Sequence, residues 1–361
     1  MGALEEWIAE MFLVHSLNLL RFSSGTQEKI LLLMAAMSKE LTAKLNEGEI
    51  STYGKQRLGA LLRESNAVIS SHYTGMQAEM TRNLAGMVRI EADYTAKVLT
   101  QALKIELGAK LPPATYLEKL VGDTLIKGAP SADWWKRQAL DTQFRFASQV
   151  RLGAAQGETT SQIVARVVGT SSKALGGDAE AMPGILKTSE ANARALVHSS
   201  VQAVANAARL ASFQQNGDLI ECLVWLSTLD SHTCLLCAMR DLHEYSLDGQ
   251  EPINHTHEWA GGPGAIHFSC RCVLSTRTKS FKDLGIDLDE PGDSTRPSDG
   301  GAVSSKMNFK DFLASKDKAW RAEYLGPGRA EMYEAGKITL NDLMNLKGRK
   351  LTLEELQARY K

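Results

Sequence analysis

Proline is absent from the first 111 residues and again between Pro130 and Pro183. Proline breaks helix interiors, so both gaps permit long helices. A charge bias is also lacking: 41 Lys and Arg stand against 42 Asp and Glu, a formal net charge of -1. A chain whose whole surface binds nucleic acid should be far more basic, which leaves room only for a local basic patch. No run of about 18 uncharged apolar residues occurs, so no transmembrane helix is expected. The first residues carry Glu5 and Glu6 where a signal peptide carries positive charge, so export is not expected. Cysteine is scarce, with five residues, four of them in two tight clusters. An odd count placed in this way fits a reducing compartment and metal ligation better than a disulfide scaffold. What is present is ordinary globular composition, 43% hydrophobic and 23% charged over 361 residues. That excludes a wholly disordered or collagen-like chain and suggests two to three domains.

Apolar periodicity fills the proline gaps. Ile69, Tyr73, Met76, Met80, Leu84 and Met87 step by three or four along one helical face. Tyr94 and Val98 rejoin the stripe after Glu91 interrupts it. One helix over residues 67–106 would be roughly 60 Å long and would need a partner, from this chain or from another subunit. Residues 131–155 read as a further helix, with Trp134, Trp135, Lys136, Arg137, Arg145 and Arg151. Its charges are expected to be solvated, with nucleic-acid contact as the alternative. Gly169, Gly176, Gly177 and Pro183-Gly184 mark a loop or boundary. The next helix is expected to be capped by Ser189, to carry the stripe Val197, Val201, Val204, Ala208 and Ala211, and to end at Asn216-Gly217 in the left-handed conformation. A strand follows from Leu219 to Thr228.

These signals predict a mainly α chain. An elongated helical region covers 1–185, a small α+β module stapled by Cys and His covers 186–280, an acidic Pro/Gly linker covers 281–305, and a short helical tail covers 306–361. The linker carries Asp283, Asp287, Asp289, Glu290 and Asp293. The tail has a net charge of +4, and Thr352 with Glu355 has capping-box spacing.

The informative stretch lies between Trp225 and Leu274. Cys234 and Cys237 form C-x-x-C, and His267, Cys270 and Cys272 form H-x-x-C-x-C about 30 residues later. Each cluster can present two side chains to one ion, which closes the loop between them. Thiolate with imidazole favours a four-coordinate zinc, so four of these five residues are expected as ligands. In an extended segment Cys270 and Cys272 would point to the same side. Reduced cysteines without metal, or a disulfide such as Cys234 to Cys272, are the competing readings. Cys222 is expected as a small buried apolar residue, and His198 as structural. His255 and His257 share a loop with Asn254 and Glu258, where they are surface residues or support the metal site. Four thiolate and imidazole ligands leave no open coordination position, which points to a structural staple.

Enzyme motifs are few. H-E-x-x-H, the P-loop and G-x-S-x-G are missing, and the C-x-x-C comes first with no H-x-E ahead of it and no proline before it, unlike the zinc deaminases. A metal-dependent treble-clef-like nuclease is the enzymatic alternative, with Asn254 and His255 serving catalysis.

The run LVHSSVQAVANAARLASFQQNGDLIECLVWLSTLDSHTCLLC, followed by GPGAIHFSCRC, resembles the head-morphogenesis domain of the Mu F-like phage minor head proteins. Trp225, Asp230, Thr233, Cys234, Cys237, His267, Cys270, Arg271 and Cys272 carry the likeness, which covers about residues 188–275. The tail resembles the segment that often follows this domain, through Gly326, Pro327, Arg329, Gly336, Lys337, Leu340, Gly348, Arg349, Leu351, Thr352 and Leu353. Two positions depart from the family: His198-Ser199 stands where Arg-Thr is usual, and Asp241-Leu242-His243 replaces a Leu-Asp-Gly turn. The resemblance implies a virion component made in the host cytoplasm and held inside the head near the portal. It further implies a role in head assembly, DNA packaging or genome delivery. Expected partners are the portal protein, other head proteins and packaged DNA, with oligomers through the long helices. A structural rather than enzymatic role follows; a carrier for toxin delivery ranks behind the nuclease.

Overall fold

The computed structural model describes residues 3–104, 108–169, 183–285, 294–345 and 349–360. It is mainly helical, as expected. The amino-terminal half begins with two very long helices, α1 (Ala3–Leu45) and α2 (Lys55–Leu103). At 49 residues α2 is about 73 Å long and starts twelve residues before the expected helix. Residues 105–106 of that expectation lie outside the described residues. The partner of the long helix comes from this chain. Lys44 meets Glu64 at 3.2 Å, Glu40 meets His72 at 2.9 Å and Lys29 meets Asn83 at 3.0 Å. As the first number falls the second rises, which is antiparallel pairing of α1 with α2.

The remaining elements follow in order. Helix α3 (Ala114–Asp123) leads to a short hairpin of β1 (Leu125–Ile126) and β2 (Ala129–Pro130). Helices α4 (Ser131–Ala155), α5 (Thr160–Val168) and α6 (Ile185–Gln215) come next. A four-stranded antiparallel sheet has the order β5 (Pro252–Ile253), β4 (Glu244–Tyr245), β3 (Ile220–Leu226), β6 (Val273–Thr278). A four-residue helix α7 (Leu235–Ala238) follows β3. The chain closes with the hairpin β7 (Thr295–Ser298) and β8 (Gly301–Ser304), then α8 (Phe309–Ser315), α9 (Lys318–Leu325), α10 (Pro327–Glu334) and α11 (Leu353–Arg359).

Two compact units divide the chain differently from the sequence expectation. The first comprises Met1–Leu19, Val88–Leu117 and Gln202–Lys361; the second comprises Leu20–Met87 and Glu118–Val201. In the second unit the stripe Ile69, Tyr73, Met76, Met80, Leu84 and Met87 is buried throughout. The Tyr73 hydroxyl hydrogen-bonds Thr142 at 2.8 Å, and Thr142 bonds Ser189 at 2.9 Å. Ser189 is therefore a buried residue inside α6, which begins at Ile185, and not its cap. The far end of α6 also differs. Neither Asn216 nor Gly217 has positive φ. Instead the Asn216 amide donates to the carbonyls of Lys110 and Ser212, each at 2.8 Å, and its Oδ1 accepts from the Lys110 N–H. A side chain that satisfies backbone groups on two segments removes the need for a left-handed cap.

The core of the first unit joins Leu4, Ile8 and Phe12 of α1, Val98 and Leu99 of α2, Phe213 of α6 and the β3–β6 pair. Strand β3 is buried at six of seven positions, the exception being Glu221, so from Cys222 to Leu226 it is a continuous apolar run rather than an alternation. Glu91, which breaks the apolar stripe, is buried here too. Its Oε1 is 2.6 Å from His15 Nε2 and its Oε2 accepts from Arg209 Nη2 at 3.1 Å.

Residues 294–305 are not a solvated linker. They include the β7–β8 hairpin, and Arg296 is buried on Asp241 with two contacts of 3.0 Å. Asp287, Asp289, Glu290, Pro291 and Asp293 lie outside the described residues, as do Gly176, Gly177 and Gly348. The expected carboxy-terminal helices are present and packed. Phe309, Phe312, Leu313, Leu340, Leu343 and Leu356 share a core with Leu229, Leu235, Ala238 and Met239 around the C-x-x-C turn. Thr352 and Glu355 form the expected capping box on α11. Among the described residues no helix is long and apolar enough to cross a membrane.

Candidate metal centre

Strand β3 ends beside the first ligand cluster. Ser227 and Thr228 follow it, and a turn over 230–233 leads into α7. Asp230 accepts from the His232 N–H at 2.9 Å, while the Thr233 hydroxyl donates to the Thr228 carbonyl at 2.5 Å. The Ala238 N–H closes the first helical turn on the Cys234 carbonyl at 2.9 Å. One turn of helix therefore brings Cys234 and Cys237 to one side, which is what C-x-x-C spacing requires.

The second cluster arrives just before β6. His267 Nε2 lies 3.1 Å from Cys234 Sγ and 3.1 Å from Cys237 Sγ. Cys237 Sγ is 3.7 Å from Cys270 Sγ. Cys237, Cys270 and Cys272 form a second group with all sulfurs within 4.8 Å, so Cys237 belongs to both groups. All five expected residues come together, and all five cysteines are free thiols, which rules against the Cys234 to Cys272 disulfide. The cluster of Cys234, Cys237, His267, Cys270 and Cys272 could bind a metal ion.

The electrostatics fit that capacity. A hydrogen bond from Cys237 outweighs burial and, with His267, brings Cys234 down to about 5. Cys270 is likewise held well below an ordinary thiol, first by Cys237 and then by Cys272. Cys237 is pushed up by the thiolate character of Cys234 and Cys270, and Cys272 is pushed up chiefly by burial. Burial opposes a charge on His267, yet Cys234 and Cys270 overcome it and raise His267 to about 11. Its Nδ1 faces the Phe268 carbonyl at 2.7 Å, which leaves Nε2 turned toward the sulfurs. A backbone carbonyl on the second ring nitrogen is the usual way a ligating imidazole is oriented. Cys234 is the least buried of the four clustered cysteines and borders a cleft of about 550 Å³ lined also by Tyr324, Met344 and Lys350.

The remaining motif residues tie this region together. Arg271, between two of the cysteines, clamps both oxygens of Asp230 at 2.7 Å each. Burial, the largest influence, raises the Asp230 pKa, but Arg271 together with the His232 N–H holds it below the ordinary value. The clamp ties the chain before the first ligand pair to the chain within the second. Trp225 is fully buried, with ring centroids 5.8 Å from Trp259 and 6.3 Å from Tyr245. The loop between the ligand clusters thus has a core of sorts, through Tyr245, Trp259 and Ile266. Cys222 is buried and burial raises its thiol to about 11, as suits an inert apolar residue. His198 lies half-buried on α6.

His255 and His257 turn out to belong to a stack. His243 lies 4.1 Å from His255 and 5.1 Å from His257, ring centre to ring centre. His255 Nε2 faces the Glu244 carbonyl at 2.8 Å, and its Nδ1 accepts from the His257 N–H at 3.2 Å. Both ring nitrogens of His255 are thus engaged within the loop.

Several residues that position the site were not singled out in the sequence. Asn206 on α6 donates to the Cys272 carbonyl at 3.2 Å and accepts from the Leu274 N–H at 2.7 Å. Asp241 accepts from the Ser227 N–H at 2.7 Å and pairs with Arg296, while the Tyr324 hydroxyl donates to the Thr233 carbonyl at 2.8 Å. Asn206 had a signal, a polar residue within an apolar helix. Arg296 and Tyr324 had none. The chain matches no protein-family model, no curated protein and no solved structure.

Proposed function

We propose that this chain is a minor head protein of a phage, a structural component built around a zinc-stapled module. The observation that carries this reading is the use made of the motif. Asp230, Thr233, Arg271, Cys234, Cys237, His267 and Cys270 spend their recorded contacts on one another and on the nearby backbone, and Trp225 is packed against Trp259 and Tyr245. Such a set stiffens a surface for assembly. The packaging-nuclease reading draws no support from His255, whose ring nitrogens are both engaged.

Zinc suits the donor set. With Zn–S near about 2.3 Å and Zn–N near about 2.0 Å, tetrahedral ligand atoms sit about 3.5–3.8 Å apart. Two spacings of 3.1 Å and one of 3.7 Å lie at or a few tenths below that range, while Cys270 belongs to a second group joined to the first through Cys237 and would have to draw in to complete the shell. We assign Cys234, Cys237, His267 and Cys270 as the ligands. Cys272 stands beside them, its thiol directed to Ser227 Oγ at 3.5 Å. When bound, zinc supplies a closed coordination shell that crosslinks the two clusters. The chain's own residues hold the shell in place: Arg271 with Asp230 on one side, and the Phe268 carbonyl behind His267 on the other.

In this reading the protein sits inside the head near the portal, contacts the portal protein and other head proteins, and acts in assembly, packaging or delivery. Quantitative mass spectrometry of purified empty and full particles from the source phage or prophage tests it. A few copies per particle are expected in both. Absence from both would overturn the reading.

A further inference from the structure

We infer that the outer face of α4 is a docking surface for an acidic-ended amphipathic helix of a partner protein. The inference stands on this helix face alone and is independent of the phage reading. Two large apolar residues, Leu140 at 58% and Phe144 at 73%, are exposed one turn apart on one face of α4, and Leu152 at 43% lies two turns further on and about 80° round the helix. The four-residue step from Leu140 to Phe144 is one by which one helix grips another. Phe144 is the centre of the pattern. Arg137 and Arg151 stand seven residues on either side of it, two turns and about 10 Å away along the same line. Lys136 adjoins Arg137 and is exposed too. Among the described residues Lys136, Arg137 and Arg151 have no carboxylate partner, whereas Arg145 of the same helix is already paired with Asp141 at 2.9 Å. The acid on this face, Asp133, is in the first helical turn, where it complements the helix N-terminus.

The charge pattern selects the occupant. A second copy laid antiparallel on this face would set Arg137 against Arg151, and a parallel copy would set each arginine against itself. Like charges in an interface oppose association, so the face is not self-complementary. A single-stranded nucleic acid would need aromatics interleaved with the cations, but Phe144 is the one aromatic on the face and leucines offer no stacking plane. A helix with an apolar stripe and Asp or Glu near both ends satisfies both features. The apolar anchors would supply most of the binding, and the terminal charges would set partner choice.

The test uses the full chain and two fluorescent hydrocarbon-stapled helical peptides that share a leucine stripe. One ends in pairs of Glu and the other in pairs of Lys. Anisotropy titration should show saturable binding of the Glu-ended peptide, about tenfold tighter than the Lys-ended one and weaker in high salt. Phe144→Ser should weaken it by about fivefold or more, as loss of a central anchor does. The triple variant Lys136→Glu, Arg137→Glu, Arg151→Glu should invert the preference between the peptides. All four positions are exposed, so the variants should keep the helix content, and circular dichroism checks that. The proposal is overturned by absent binding, by equal binding of the two peptides, or by binding that ignores these substitutions. It is equally overturned if oligothymidine competes for the same face, or if Phe144→Ser abolishes self-association instead.

Discussion

Replacing Glu91 by leucine should destabilise the chain far more than an ordinary surface change. Arg209 is fully buried, and burial already pulls its pKa down against the pull of Glu91. Its guanidinium donates to Glu91 at 3.1 Å, to Asn206 Oδ1 at 3.1 Å and to the Leu274 carbonyl at 3.3 Å, and it lies 4.5 Å from the centre of the Phe12 ring. Glu91→Leu leaves the two neutral acceptors and the ring but removes the counter-charge. Breaking a buried pair from one side costs about 3–5 kcal/mol, because the remaining charge is left without compensation. Arg209→Met with Glu91→Leu removes both charges of the pair but still leaves buried His15 without its 2.6 Å partner, so it should recover part of the loss. Urea unfolding followed by far-ultraviolet circular dichroism gives the four corners of the cycle. The expected coupling between the two sites is about 2 kcal/mol or more, with the double variant more stable than Glu91→Leu alone. Loss of under about 1 kcal/mol in Glu91→Leu, or strict additivity in the double variant, would refute the reasoning.

Other expectations follow from the same contacts. Asp230→Asn should lower zinc affinity about tenfold, since it removes the charge that fixes Arg271 between two cysteines; competition with a chromophoric chelator reads this out. Gly264→Ala should cost more than about 1 kcal/mol, because Gly264 has φ +81° and an added Cβ would meet the Gln202 backbone at 2.8 Å. Its midpoint in urea should fall without a change in slope. His243→Phe should flatten the acid side of the stability profile. Burial, followed by the neighbouring His255 and His257, lowers His243 to about 3 in the fold. The unfolded chain, near about 6.5, then binds the proton first, so this contribution is complete above that pH and is lost as pH falls toward 3. Equal pH slopes for the variant and the parent below about pH 6.5 would contradict the assignment.

The parts legible in the sequence are those set by local pattern. The buried stripe from Ile69 to Met87, the span of α4, strand β3 and the capping box at Thr352 all follow from residue spacing, and each is present. The gathering of five Cys and His residues was legible because C-x-x-C and H-x-x-C-x-C are local devices that close a long loop. The misread parts depend on contacts between segments distant in sequence. Ser189 looks like a cap until Thr142, 47 residues earlier, is seen to bond it inside α6. Glu91 looks like an interruption until Arg209, 118 residues later, pairs with it. Arg296 sits in a stretch that reads as solvated linker, and Asp241, 55 residues away, draws it into the interior. Spacing along the chain carries no information on such pairings.

The proposed zinc staple is most directly tested by the metal content of the chain purified without chelator. Mass spectrometry of the native protein, supported by elemental analysis, should find about one zinc per chain, which a closed four-ligand site holds. Cys237→Ser should lose that zinc and expose residues 225–275 to protease while the helical half keeps its circular dichroism. A parent chain free of zinc, or a Cys237→Ser chain as protease-resistant as the parent, would contradict the account.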